Sequence, residues 1–326
     1  MNKTPPSGLS DTQRAEIDAQ RADTQSTRRA TVAALEDRLY KEIPVLDQGF
    51  IRVVDYMGDD GAVVQAARVS YGKGTRKVSN DRGLIRYLLR HRHTTPLEMC
   101  EIKLHVKLPM FVARQWIRHR TANVNEYSAR YSVLDHEFYV PEPGILAAQS
   151  AANRQGRDQG LTDDAAARAR QEITEQGDEA YALYQRLLNE TQGGGTDEPD
   201  RQGLARELAR MVLPVNYYTQ WYWKIDLHNL LHFLSLRADP HAQYEIRAYA
   251  DALCKIVAAW VPLVWEAFED YRLSGAAISG PGLAALRGLI DQAALDDEAR
   301  LEELREKSGM SAREFRELIE LLRQDP

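Results

Sequence analysis

The chain has 326 residues with 42 Lys and Arg against 48 Asp and Glu, and its net charge of −6 excludes a scaffold that holds polymeric nucleic acid by bulk charge. An apolar share of 44% is enough for a sizeable core, in one large domain or two ordinary ones. Two distant cysteines, Cys100 and Cys254, give no disulfide framework and no CxxC metal pair; with no apolar run of membrane-spanning length and no secretory h-region, the expected setting is the cytoplasm, away from membranes.

Residues 1–43 are polar and poor in large apolar side chains, which predicts a disordered arm or a loosely held helix outside the core. Phe50-Ile-Arg-Val-Val reads as a strand and Ala62–Val69 as a short helix. Glu101 to Leu108 alternates strictly, with Ile102, Leu104, Val106 and Leu108 on one face, so it reads as a strand with one wet side ending at Pro109. Met110–Arg120 has the spacing of a short helix. Residues 144–200 read as a surface insertion containing one helix, closed by a Gly193–Gly195 linker.

Helical character returns at Leu204–Leu213 and Leu227–Leu236. The longest helix is expected from Ala242 to Trp260, with Ile246, Tyr249, Leu253, Ile256, Val257 and Trp260 inward and a break at Pro262. The tail from Ser279 predicts two helices joined at Lys307-Ser-Gly-Met, with Ser311 and Glu314 at capping-box spacing and a stripe of Phe315, Leu318, Ile319 and Leu322. Residues 296–326 hold ten acids and six bases, which favours a packing or oligomerisation hairpin over a DNA reader.

Two motifs fail on inspection. Gly72-Lys-Gly-Thr lacks the glycine five positions earlier that a phosphate loop needs, since Ala67 stands there. His228-Asn-Leu-Leu-His232 has metal-ligand spacing, but Asn229 replaces the glutamate of the zincin motif, so no metal is assigned; His241 and Asp239 keep a metal-hydrolase alternative open.

The chemistry-bearing segment runs from Gln115 to Arg130. Arg114, Arg118, Arg120 and Arg130 lie within seventeen residues, interleaved with His119, Glu126 and Ser128 and flanked by apolar sequence. That setting places the arginines at the edge of a core, where desolvated like charges need an anion between them. Guanidinium forks match phosphate, so the residues point to an anionic nucleotide site. A module that binds nucleotide or RNA without catalysis is the alternative. Arg210 and Arg237 are further lone cations on apolar helices.

Arg118-His119-Arg120, seven residues, then Ser128 resembles the RHRx7S signature of the flavin-dependent thymidylate synthases, extended by Asn125-Glu126 and Arg130. Ala67–Ser70, His93–Glu98, Phe111–Trp116, Ala209–Pro214 and Leu236–Gln243 are similar to the same family in the same order. The resemblance spans residues 44–275, the catalytic domain, and leaves the 1–43 arm and the 276–326 hairpin outside. It implies an α+β fold, a twisted antiparallel sheet with packed helices and with helical N- and C-terminal extensions. It also implies a homotetramer with shared active sites, and conversion of dUMP to dTMP by methylenetetrahydrofolate, FAD and NADPH. On matching positions, Gln115, Trp116, Ile117, Arg118, Glu126, Tyr127, Ser128, Ala129, Arg130, Arg210 and Arg237 fall where the family holds dUMP. Thr95, Arg118, His119, Arg120, Glu126, Asp226, Leu227, His228 and His232 fall where it holds FAD. Arg237 matches the arginine proposed to act on the uracil N3 edge, and with Arg118 is the expected catalytic pair. Ser128 has no adjacent base in the sequence, so its expected role is binding. Asn123 stands where the family often has Ser, and Asp226 where Asn is common.

Overall fold

The computed structural model describes residues 11–69, 81–151, 156–190 and 195–323. Ser70, the stretch at 72–75, and Gly193 and Gly194 of the expected linker lie outside these residues. The chain divides into two compact units, Met1–Leu273 and Ser274–Pro326.

The first unit is built on a five-stranded antiparallel sheet, so the expected α+β class is the one observed. Its strands are β1 (Glu42–Val45), β2 (Gly49–Met57), β3 (Glu101–Pro109), β4 (Asn123–Glu126) and, after a small β5–β6 ribbon (Ala147–Gln149, Arg157–Gly160), β7 (Tyr218–Asp226). The order is β1-β2-β3-β7-β4. The β1–β2 turn needs Gly49, where a Cβ would lie 2.0 Å from the Tyr249 hydroxyl and 2.7 Å from the Val45 carbonyl. As the alternation in β3 predicts, Ile102, Leu104, Val106 and Leu108 are buried, and Trp221, Trp223 and Ile225 of β7 join them in one apolar cluster. The wet face carries a row across all five strands: Glu42, Arg52, His105, Tyr222 and Asn125 occupy successive register positions.

Among the described residues of this unit, eleven α-helices surround or extend the sheet, from α1 (Asp11–Ala22) and α2 (Ala33–Glu36) to α10 (Tyr244–Trp260) and α11 (Pro262–Phe268). The inward face of α10 is as its periodicity predicts, with Ile246, Tyr249, Leu253, Ile256, Val257 and Trp260 fully buried. Pro262 opens α11 at a position where its missing N–H costs nothing, and the Asp60 carboxylate accepts from the Leu263 and Val264 amides at 3.0 Å. That bond ties the start of α11 to the start of α3 (Asp60–Val69).

Helix α4 (Asp81–Arg90) ends in a Schellman turn: the Arg92 amide donates to the Leu89 carbonyl and the His93 amide to that of Leu88. Arg92 holds φ +58 there, a left-handed conformation that costs a non-glycine residue about 1 kcal/mol.

Three expectations need correction. Residues 1–43 do not all lie outside the core, because Leu35 of α2 is completely buried in the main cluster, with Val32 and Leu39 packed against it. The 144–200 stretch is more than a surface insertion. It contains α7 (Asp163–Leu188), at 26 residues longer than α10, which had been expected as the longest. Tyr181, Tyr184 and Leu188 of α7 form a second core with Leu134, Phe138 and Tyr217. Gly177 lets Phe138 approach: a Cβ there would meet its ring at 2.7 Å. The third correction concerns the tail of the chain. The second unit holds three helices where two had been expected, α12 (Gly280–Leu289), α13 (Glu298–Ser308) and α14 (Ala312–Arg323). Asp291 and Asp297 cap and divide what reads as one apolar-spaced run, while Ser311 Oγ accepts from the Glu314 amide at 3.2 Å, as the spacing predicts.

Candidate active site

The signature segment begins on α6 (Met110–Trp116), whose Trp116 is buried against Trp221, Trp223 and Phe233. That aromatic packing fixes where the chain leaves the core. The next residues turn out to the sheet edge and form β4, exposed at all four positions. Helix α9 (Leu227–Arg237) starts where β7 ends, with Asp226 as its N-cap accepting from the Asn229 amide at 2.9 Å. Strand β7 and helix α9 thus bring residues over a hundred positions apart beside the signature.

Three of the expected residues meet at the C-terminus of α9. Arg237 Nη2 donates to the Gln115 carbonyl at 3.5 Å. Arg237 Nε and Gln115 Oε1 are both buried with no hydrogen-bond partner. A buried polar atom left unmet costs about 1–3 kcal/mol. Burial first, and then the charge of Arg118, pulls the Arg237 guanidinium below its ordinary pKa. The Arg237 guanidinium thus has a buried unmet donor of its own, and Gln115 a buried unmet acceptor, at the end of α9.

A histidine pair adjoins it. The His119 and His232 rings lie 5.6 Å apart, and His119 Nε2 is 3.0 Å from Thr121 Oγ1. Burial, then the neighbouring His232 and Arg237, lowers the His119 pKa, so its imidazole is neutral at pH 7. His228 and His232 also line a cavity of about 250 Å³ against Leu97, Leu231 and Phe268. Thr95 lines a neighbouring cavity of about 960 Å³, and Leu88, Arg92, His93 and Thr94 border both.

The second core carries another group. Arg130 Nε lies 3.4 Å from Glu207 Oε2, and Arg210 Nε donates to the Glu207 carbonyl at 3.3 Å. Ser128 Oγ accepts from the Arg130 amide at 3.3 Å. Glu126 is held by Thr219, whose Oγ1 donates to its Oε1 at 2.8 Å.

Within one chain the signature arginines are not desolvated as expected. Arg118, Arg120 and Arg130 are exposed beside β4, an edge strand that projects from the core, and Arg210 is exposed in the turn Arg210–Val212. Trp116, Ala129 and Leu227 have their side chains inside the cores and could meet a ligand only through backbone. Ile117 and Tyr127 are exposed. Among the described residues no three His, Cys, Asp or Glu side chains converge as a metal site; His241 instead bonds Asp239 at 2.9 Å. Sequence reasoning did not single out Arg92, Ser235, Phe268 or Arg272, all of which line the 250 Å³ cavity. No helix of the described residues is long and apolar enough to cross a membrane.

Against known proteins, the family described as "Thymidylate synthase complementing protein" matches residues 52–263. A flavin-dependent thymidylate synthase of Ruegeria pomeroyi is 57% identical over 314 residues, 96% of this chain and 99% of that protein. One of Rickettsia conorii is 57% identical over 297 residues, 91% of this chain and 98% of that protein. Among solved structures, a UMP/dUMP methylase, PolB, from Streptomyces cacaoi bound with 5-Br UMP superimposes with a TM-score of 0.61 at 35% identity, covering 69% of this chain and 95% of that one. The same methylase bound with 5-Br dUMP gives 0.60 at 34% identity, covering 69% and 96%.

Proposed function

This chain belongs to the flavin-dependent thymidylate synthase family, and from that premise we propose that it converts dUMP to dTMP with 5,10-methylenetetrahydrofolate as carbon donor and NADPH, through FAD, as reductant. The observation that carries the reading is the pair of unmet buried groups at the end of α9, the Arg237 Nε donor and the Gln115 Oε1 acceptor. A uracil presents the complement, a carbonyl acceptor next to an N–H donor.

The chemistry asks C5 of the pyrimidine to attack a one-carbon electrophile, and C5 becomes nucleophilic when the ring carries negative charge on its N3/O4 edge. Arg237 stabilises that charge without giving up a proton, an effect worth about 3 kcal/mol when the donor is fixed and dry. Arg118 adds a second positive charge, and Gln115 orients the ring. Arg130, Arg210, Ser128 and the exposed Ile117 and Tyr127 supply the phosphate and sugar side of the dUMP site, with Glu126 held in place by Thr219. FAD, once reduced by NADPH, would supply the hydride. Thr95, Arg120, His119, His228 and His232 would hold it, and neutral His119 can accept a hydrogen bond. Asp226 acts through its cap on α9, which sets the direction of both histidines.

The exposure of the site supports a homotetramer with active sites shared between subunits. All of β4 and four of its neighbouring arginines face outward, and Tyr131 and Met211 are 74% and 72% exposed. Large apolar side chains beside an unpaired strand edge favour burial against another copy. The two free cysteines suit the cytoplasm.

The test is spectroscopic. Purified protein should carry a flavin that NADPH bleaches anaerobically and that regains its colour only after dUMP and methylenetetrahydrofolate are both added. Protein without flavin, or recovery that ignores dUMP, would overturn the proposal.

A further inference from the structure

Two arginines at the 250 Å³ cavity have no part in the assignments above. Arg92 lies in the turn after α4, and Arg272 in the π-helical turn Glu269–Leu273 that follows α11. Both are exposed, so they stand at the cavity mouth, above a floor that includes Leu97 and Phe268 and beside His228 and His232. Among the described residues neither guanidinium has an ion pair or a side-chain hydrogen bond. They are close enough for the charge of Arg92 to lower the pKa of Arg272, after burial has done so. Neighbouring arginines contrast here with Arg82 and Arg86, which pair with Glu266. Arg272 also lies beyond the 52–263 stretch that matches the family.

Backbone geometry adds a second observation. Arg92 occupies the left-handed position of a Schellman turn, where glycine fits without strain. The fold gains nothing locally from an arginine there. What the residue supplies is a second positive charge at the cavity mouth.

We propose that Arg92 and Arg272 form a docking station for the glutamyl carboxylates of the folate co-substrate. The inference rests on the thymidylate synthase reading and deepens it. Phosphates of dUMP and FAD already have Arg118, Arg120, Arg130 and Arg210. Of the remaining anions, the NADPH phosphates and the folate tail, the tail is the one on a flexible stem, and its carboxylates match guanidinium forks. A pair at the cavity mouth suits a tail that trails into solvent while the ring end lies deeper. Arg92 borders the larger cavity too, so the tail has room on either side of it.

The experiment compares tetrahydrofolate monoglutamate and triglutamate on the flavin-loaded full chain, by calorimetry for binding and by steady-state kinetics with their methylene forms. Wild type should bind the triglutamate at least tenfold more tightly. In Arg92→Gly with Arg272→Ala the preference should fall below twofold, through a rise in the KM of the triglutamate and with flavin retained. Arg92→Gly alone should raise Tm while weakening the preference, a pairing that a merely structural arginine would not produce. No tail preference in wild type, or one that survives in the double variant, overturns the proposal. So does an effect confined to the KM of NADPH, which would assign the pair to the dinucleotide phosphate. Failure of the underlying reading looks different: wild type would then bind neither folate and form no dTMP from either.

Discussion

Replacing Arg237 with Ala removes the guanidinium that donates to the Gln115 backbone carbonyl and feels the charge of Arg118. The expected result is a fall of about 100-fold or more in kcat for dTMP formation, with Tm little changed. Ser128→Ala should keep measurable synthesis, its loss falling mainly on the KM of dUMP, because the sequence sets no adjacent base to activate its hydroxyl; a silent Ser128→Ala enzyme beside an active Arg237→Ala enzyme would reverse the assignment. A separate residue sets acid sensitivity. Burial and then the charge of Arg52 lower the pKa of His105 from 6.5 to about 4. The unfolded chain therefore binds the proton first, and this contribution to stability declines as pH falls from about 6.5 to about 4. Denaturant titrations should show that decline in wild type and a flatter profile in His105→Gln. The residue types of the site were legible in the sequence, since RHRx7S and Arg237 stand in plain order. Their environments were not. Exposure of Arg118 and Arg130, and burial of Trp116 and Leu227, depend on where β4 and β7 pair, which no local pattern encodes.

The elements explain why that segment holds its shape. The N-cap of α9 orients His228, His232 and Arg237 together, so Asp226→Ala should cost about 1 kcal/mol and lower flavin retention, while Asp226→Asn should restore both. Unfolding midpoints and flavin content after gel filtration measure the two effects. Elements with clean periodicity were readable: β3 alternates in sequence from Glu101 to Leu108, though Lys107 on the wet side is buried too, and α10 repeats its apolar face over seventeen residues. Those whose burial comes from distant partners were less so. Helix α7 reads as polar surface because Gly177, Tyr181 and Tyr184 gain their meaning only against Phe138, Leu134 and Tyr217. Leu35, with Val32 and Leu39, is a short apolar stripe in an otherwise polar arm, too little to signal a core position.

At the scale of the whole molecule, the exposed edge strand and its arginines predict association. Sedimentation at micromolar concentration should give a tetramer, and a flavin-loaded enzyme that runs as a monomer would contradict shared sites. The most direct test of the account is formation of dTMP from dUMP, methylenetetrahydrofolate and NADPH, followed anaerobically on protein stripped of flavin and then reloaded with FAD. The account predicts no product from the stripped protein and multiple turnovers on reloading. Product formed equally well without FAD, or none from the reloaded protein despite bound dUMP, would contradict it.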